Sequence, residues 1–226
     1  MTPPEFGSSV AQAHTRLDAD AYDDIYVVGD VHGCIAELRR LWDRLTPRRE
    51  DLVVFAGDLV RKGPASDEVV DFVYARDSAI SVRGNNEETV LRGDADAGLS
   101  PASHEAVESF PLVVSWDGAM VVHGGVHPDR PLAANSPGDL LETRAIPRGN
   151  GYDGPFWFES YEGPPRVFFG HTVLADPLLD EWAVGLDTGC VHGGRLTAYD
   201  CTGREVVGVP AERTYVPRAD GRIAQP

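Results

Sequence analysis

IYVVGDVHGCIAELRRLWDRL, residues 25–45, opens on the apolar run Ile25–Val28, breaks at a Gly-Asp pair and then changes period. From Ile35 onward apolar side chains recur at Leu38, Leu41, Trp42 and Leu45, along one face of a helix. A strand apolar on both faces is covered on both sides, and the helix that follows supplies one of the covers. The same unit returns. LVVFAGD (52–58) precedes SDEVVDFVYAR (66–76), where Ser66 reads as a helix cap and Asp67 and Glu68 suit the first turn. AISV (79–82) is a third strand. Three such strands joined by helical crossovers make a parallel sheet.

The second half of the chain changes character. LVVSWDGAMVVHGG (112–125) reads as a hairpin turning at Asp117-Gly118, and RVFFGH, WAVGLDTG, RLTAYD and EVVGV follow as short strands. The last two turn at Thr202-Gly203. Residues 149–165, rich in Gly, Pro and aromatics, read as a surface loop. Its segment PFWFESY holds Phe156, Trp157, Phe158 and Tyr161, which either stack on a planar ligand or anchor the loop on the core. The expected fold is two sheets face to face with helices outside, in one domain over residues 25–210. Residues 1–24 and 211–226 read as polar tails.

With 36 acids against 20 bases the net charge is -16, which argues against nucleic acid as a partner. No apolar run reaches the roughly 18 residues a membrane span needs. Cys34, Cys190 and Cys201 are scattered and odd in number, as free thiols are, and a cytoplasmic location is expected. Lys62 is the single lysine among the bases, and Asp outnumbers Glu. Short carboxylates at this density suit a halophilic surface whose self-repulsion is screened by salt.

Polar groups recur where the strands end: Asp30 and His32 in GDVHG, Asp58 in GDLVRKGP, Asn85 in RGNNE, His123 in MVVHGG and His171 in VFFGH. Each sits beside a Gly, and ligands of α/β sheets gather at the carboxyl ends of strands. Singly, such residues are turn formers, caps or core histidines. Together they form a donor set of carboxylate, imidazole and amide without thiolate. That chemistry suits Mn2+ first, with Fe or Zn as the other choices. Six donors exceed what one catalytic ion with open positions needs, and suit two ions sharing a carboxylate.

In this order GDVHG, GDLVRKG, RGNNE, HGG, FGHT and LDTGCVHGGRLTAY resemble the calcineurin-like metallophosphoesterases of the serine/threonine phosphoprotein phosphatase type. Their bacterial branch includes diadenosine tetraphosphatases. The resemblance implies a four-layer α/β/β/α sandwich and a dinuclear phosphatase that attacks phosphorus in line with metal-activated hydroxide. Carried over, Asp30 and His32 hold one ion, Asp58 bridges, and Asn85, His123 and His171 hold the other. Arg144 matches the family's phosphate-gripping arginine, and Arg83 reads as structural. The implied substrate is a phosphorylated protein or a nucleoside polyphosphate.

The departures cluster around proton delivery. Asn86 stands where the family has a His that protonates the leaving group. Lys62 replaces a phosphate-binding Arg, and Arg61 sits where many members carry an Asp that orients the missing His. His127 and His192 are candidate substitute acids. A missing acid also leaves room for a non-catalytic phosphate-binding protein.

If the acidic surface is a salt adaptation, the melting temperature rises between dilute and molar chloride, beyond the 0.15 M at which the Debye length is already ~8 Å. A flat or falling value rejects the halophilic reading.

Overall fold

The computed structural model describes residues 4–225. Two sheets pack face to face. In chain order the strands are β1 (His14–Arg16), β2 (Ile25–Val28), β3 (Leu52–Phe55), β4 (Ala79–Ser81), β5 (Val113–Trp116), β6 (Ala119–Val121), β7 (Arg166–Phe169), β8 (Leu178–Leu179), β9 (Ala183–Gly185), β10 (Arg195–Asp200) and β11 (Glu205–Pro210). One sheet runs β11-β10-β2-β3-β4 and the other β1-β5-β6-β7-β9-β8. Within the first, β2, β3 and β4 are parallel; within the second, β6, β7 and β9 are parallel. Both predicted hairpins form, β5–β6 and β10–β11.

Side-chain alternation explains the unbroken apolar runs. In β2 and β3, Ile25, Val27, Leu52 and Val54 enter the core between the sheets, where they meet Val121, Phe168 and Val184 of the other sheet. Val28, Val53 and Phe55 face the opposite way, toward α2 (Ile35–Leu45) and α3 (Ser66–Tyr74). Helices α4 (Asn85–Leu91) and α5 (Pro101–Ser109) complete that layer. The outer face of the second sheet is covered more thinly. Val10 of α1 (Ser8–Ala11), Leu140 and Leu141 of α6 (Pro137–Glu142), and the aromatic loop pack there. The sandwich therefore has the expected four layers, the last made of short helices and loop.

Three expectations need correction. Residues 8–24 are not a tail: β1 adds a parallel edge strand to β5, with His14 opposite Val113, and Val10 is fully buried. This strand is three polar-leaning residues long and carries no apolar alternation to announce it. The C-terminal segment is also docked, because Ala224 exchanges backbone hydrogen bonds with Val173 and Ala175. Ser66 does not cap α3; its hydroxyl accepts the Arg61 N–H at 2.9 Å, and Ala65 holds the cap position.

The aromatic loop anchors itself. Trp157 is fully buried, donates to the Gly124 carbonyl at 3.2 Å and meets Phe169 edge-on. Phe158 stacks on Phe169. Arg83 is structural, as expected, tying α4 to α5 through Glu88 and the Glu108 carbonyl.

Candidate metal centre

Both parallel triplets end on the same edge, and every expected donor is found there. Asp30 follows β2, Asp58 follows β3, and Asn85 opens α4 after β4. His123 follows β6 and His171 follows β7. The close approach of these loops depends on glycine. A Cβ at Gly170 would collide with the Asp30 carboxylate, and one at Gly84 with Asp58.

Backbone strain concentrates at the same place. Among the described residues seven non-glycine residues adopt positive φ, and five belong here: His32, Asp58, Arg61, Lys62 and His171. Such conformations cost on the order of 1 kcal/mol each and persist where the surroundings over-determine them.

The donors form two groups that meet at Asp58. Its Oδ2 lies 3.5 Å from His32 Nε2, which in turn is 3.8 Å from Asp30 Oδ2. Its Oδ1 lies 3.4 Å from His123 Nε2. Asn85 Oδ1 is 2.9 Å from His123 Nε2 and 3.0 Å from His171 Nδ1. Asp30, Asp58 and His123 bring their donor atoms within 4.8 Å of one another.

The tautomers decide what this arrangement can hold. His32 Nδ1 donates to the Val60 carbonyl at 3.1 Å and His123 Nδ1 to the Ala56 carbonyl at 2.8 Å. Each Nε2 then presents a lone pair; that of His32 accepts from Lys62 Nζ at 2.7 Å, and both are also aimed at carboxylate or amide oxygens that are themselves acceptors. Acceptors facing acceptors in a buried site call for a cation between them, and the set fits divalent ions.

The charges agree. Burial, together with Asp187 and Asp58, raises the Asp30 carboxyl well above its ordinary range. Burial and Lys62 bring His32 down to about 4, and burial with Arg144 lowers His171 well below the usual imidazole value. Burial acts against Asp58 as well, yet His123, His32 and Lys62 hold it below the carboxylate range. An imidazole driven neutral by burial carries no charge at pH 7, so among His32 and Lys62 the lysine is the lasting partner. Lys62 Nζ lies 2.7 Å from His32 Nε2.

Asn86 donates twice to Asp58, from its backbone N–H at 2.9 Å and from Nδ2 at 2.5 Å. Its amide oxygen accepts from Arg61 Nη1 at 3.0 Å. The amide thus joins a carboxylate to a guanidinium. Arg144 Nη2 donates to the His171 carbonyl at 3.0 Å. Of the two candidate substitute acids, His192 has both ring nitrogens engaged, whereas His127 keeps its proton on Nε2. His192 donates from Nδ1 to the Val216 carbonyl and accepts at Nε2 from Arg218, while His127 Nδ1 accepts the Asp129 N–H.

Sequence reasoning missed two carboxylates. Asp187 is buried after β9, in the LDTG segment, at the same kind of strand end as the others. Its signal was present, an Asp two residues from Gly185 and from Gly189 after an apolar run. Glu87, fully buried, accepts the backbone N–H groups of Gly84 at 2.7 Å, Asp58 at 2.8 Å and Val60 at 3.1 Å. It ties the loop after β3 to the start of α4.

A model of the calcineurin-like phosphoesterases matches residues 24–193. The bis(5'-nucleosyl)-tetraphosphatase PrpE (asymmetrical) of Geobacillus sp. strain WCH70 is 30% identical, over 85% of this chain and 96% of the relative. A crystal structure provisionally assigned as a diadenosine tetraphosphatase superposes with a TM-score of 0.80 at 27% identity, covering 88% of this chain and 98% of that one. A serine/threonine phosphatase of Saccharomyces cerevisiae shares the fold, with a TM-score of 0.59 at 15% identity over 92% and 85% of the two chains. Among the described residues no helix is long and apolar enough to cross a membrane.

Burial and the Asp58 charge push Glu87 up to about 7, against the pull of its three N–H donors. As an ionised clasp it is irreplaceable by an amide, whose NH2 would face a donor. Glu87→Gln then lowers the stability of the chelator-treated protein at pH 8 by roughly 1–3 kcal/mol in urea unfolding. No loss would mean that Glu87 is held protonated.

Proposed function

This chain belongs to the calcineurin-like phosphoesterase family, and from that premise we propose that it cleaves dinucleoside polyphosphates asymmetrically, using two divalent ions, Mn2+ first. Metal-dependent phosphoester hydrolysis is the family's activity, which sets the non-catalytic reading aside. In this proposal Asp30 and His32 hold one ion, Asn85, His123 and His171 the other, and Asp58 serves both. The observation that supports it is the pair of Asp58 oxygens, one turned to His32 and the other to His123. Bound there, the ions supply Lewis acidity at the phosphoryl oxygens and lower the pKa of water.

The chain's own groups do the rest. Lys62 and Arg144 bind the phosphate, Lys62 as a point charge and Arg144 as a fork. Asn86 keeps Asp58 in place and offers a hydrogen-bond donor but no transferable proton. The guanidinium of Arg61 stands behind it, so the position handles leaving-group charge by electrostatics. This favours one of the substrate classes the sequence leaves open. A serine alkoxide needs a proton to leave, whereas a terminal phosphate, with a second pKa near ~6, does not. The relatives named as asymmetrical tetraphosphatases support the same choice over a phosphoprotein. The reaction is then one water added and one P–O–P link broken, giving a mononucleotide and a nucleoside triphosphate. The reading also takes the protein as cytoplasmic and salt-adapted, supported by three free thiols and the net charge of -16.

Metal content tests the ligand set. Asp58→Ala loses both ions by elemental analysis and His171→Ala mainly one; a full complement in Asp58→Ala would sink the assignment.

Kinetics test the proton argument. Asn86→His alone gains little, because Arg61 opposes a protonated imidazole. Combined with Arg61→Asp it raises phosphoserine-peptide turnover about tenfold or more, and diadenosine tetraphosphate by no more than about twofold. Equal gains on both substrates would show that position 86 does not control leaving-group protonation.

A further inference from the structure

Beside the metal centre lies a second feature, of which the proposed chemistry uses only Arg144. A cavity of about 420 Å³ is lined by Arg144, Tyr152, Asp153, Arg218 and Arg222, with Gly151 and Gly221. In a chain with 36 acids, Asp153 is the one carboxylate among those residues. Elsewhere arginines such as Arg48, Arg148 and Arg195 sit against carboxylates. Among the described residues, none of the three cavity arginines has a carboxylate within 4.0 Å.

The cavity is built rather than incidental. Two guanidiniums approach the Tyr152 ring, Arg144 at 4.4 Å and Arg218 at 5.1 Å from its centre. Its hydroxyl accepts from the Val173 N–H at 2.8 Å and from Arg218 Nη2 at 2.7 Å. Among the described residues no acceptor takes the hydroxyl's own proton. Arg218 is fixed further by the Arg222 carbonyl at 2.6 Å and His192 Nε2 at 3.1 Å. One N–H on each terminal nitrogen is still unused. Arg144 joins the two places, since it also donates to the His171 carbonyl, and its buried Nε has no hydrogen-bond partner among the described residues.

We propose that this cavity is a subsite for the distal phosphates of an oligophosphate chain whose reacting phosphorus lies on the metal-centre side of Arg144. Three guanidiniums and a tyrosyl O–H, all donors and none neutralised by a paired acid, match a run of phosphate oxygens. The volume lies within the range of small-ligand pockets and exceeds what one orthophosphate requires. The inference rests on the phosphohydrolase reading and adds which end of the substrate is recognised. A tetraphosphate cut asymmetrically carries a triphosphate on one side, and Arg218 and Arg222 receive that side.

The test uses the metal-loaded, full-length protein with free Mn2+ held constant. Inorganic tripolyphosphate and orthophosphate are compared as inhibitors of nitrophenyl phosphate hydrolysis, and as titrants in calorimetry. The wild type should bind tripolyphosphate at least about tenfold more tightly than orthophosphate, and Arg218→Ala should remove most of that difference. Arg222→Ala, whose exposed side chain makes no hydrogen bond or ion pair among the described residues, carries the comparison if Arg218→Ala does not fold. A ratio unchanged in both variants overturns the subsite. So does an equal weakening of both anions, which would mean that Arg218 acts through Arg144 on the reacting phosphate. Because the probe is not a nucleotide, a protein that fails to cleave diadenosine tetraphosphate yet shows the Arg218 effect refutes the substrate proposal and keeps the subsite.

Discussion

One carboxylate, that of Asp58, sets the terms for the rest of the molecule. It is only 2% exposed, and burying an unpaired charge costs several kcal/mol. The neighbourhood is arranged to offset that cost. Asn86 donates to both oxygens, Glu87 holds the Asp58 backbone, and the residue takes a left-handed conformation that an aspartate rarely adopts. What these contacts leave over is a pair of oxygens facing two separate imidazoles. A structure whose acceptors oppose one another at 3.4–3.8 Å is poised to bind cations, and metal binding and folding are linked at such a site.

The sheets exist in the form they do because of this edge. Parallel strands end in one direction, so a triplet of them delivers three side chains to one line. Two triplets packed face to face deliver two lines a short distance apart. The inter-sheet core of Val27, Val54, Val121, Phe168 and Val184 fixes that distance, which is why apolar residues remote from the chemistry control its geometry. Close packing transmits small changes of volume, and the donor positions move with it.

Most of the strands, and the six polar side chains that gather at their ends, were legible in the sequence because each is a local event: an apolar run, a glycine, a polar group. What was illegible depends on contacts with no local signature. β1 is an edge strand of three residues that exists through its pairing with β5. Residues 211–226 read as a tail, yet Ala224 pairs with Val173 and Ala175, and Arg218 reaches Tyr152. Arg61 was visible as a departure from the family pattern, but its partner, the Asn86 oxygen, is visible only in space. For the aromatic loop the composition fits both ligand stacking and core anchoring, and the burial of Trp157 shows the second.

The surface and the site make opposite electrostatic demands. In the proposed function, a net charge of -16 repels an anionic substrate at long range, while Arg144 and Arg218 of the cavity, Lys62 and divalent ions would attract it at short range. Salt separates the two effects. The Debye length shrinks from ~8 Å at 0.15 M to ~3 Å at 1 M, which removes repulsion from distant carboxylates. Contacts at hydrogen-bond distance inside a cavity are screened far less. An oligophosphate therefore loses little at the site and gains on approach as salt rises, the reverse of a protein that steers its substrate with a basic surface. On this argument the acidic envelope and the arginine-lined cavity are compatible parts of one design. The cavity concentrates positive charge where the proposed substrate would end up, and salt in the surroundings, rather than the protein's own surface, would open the way in.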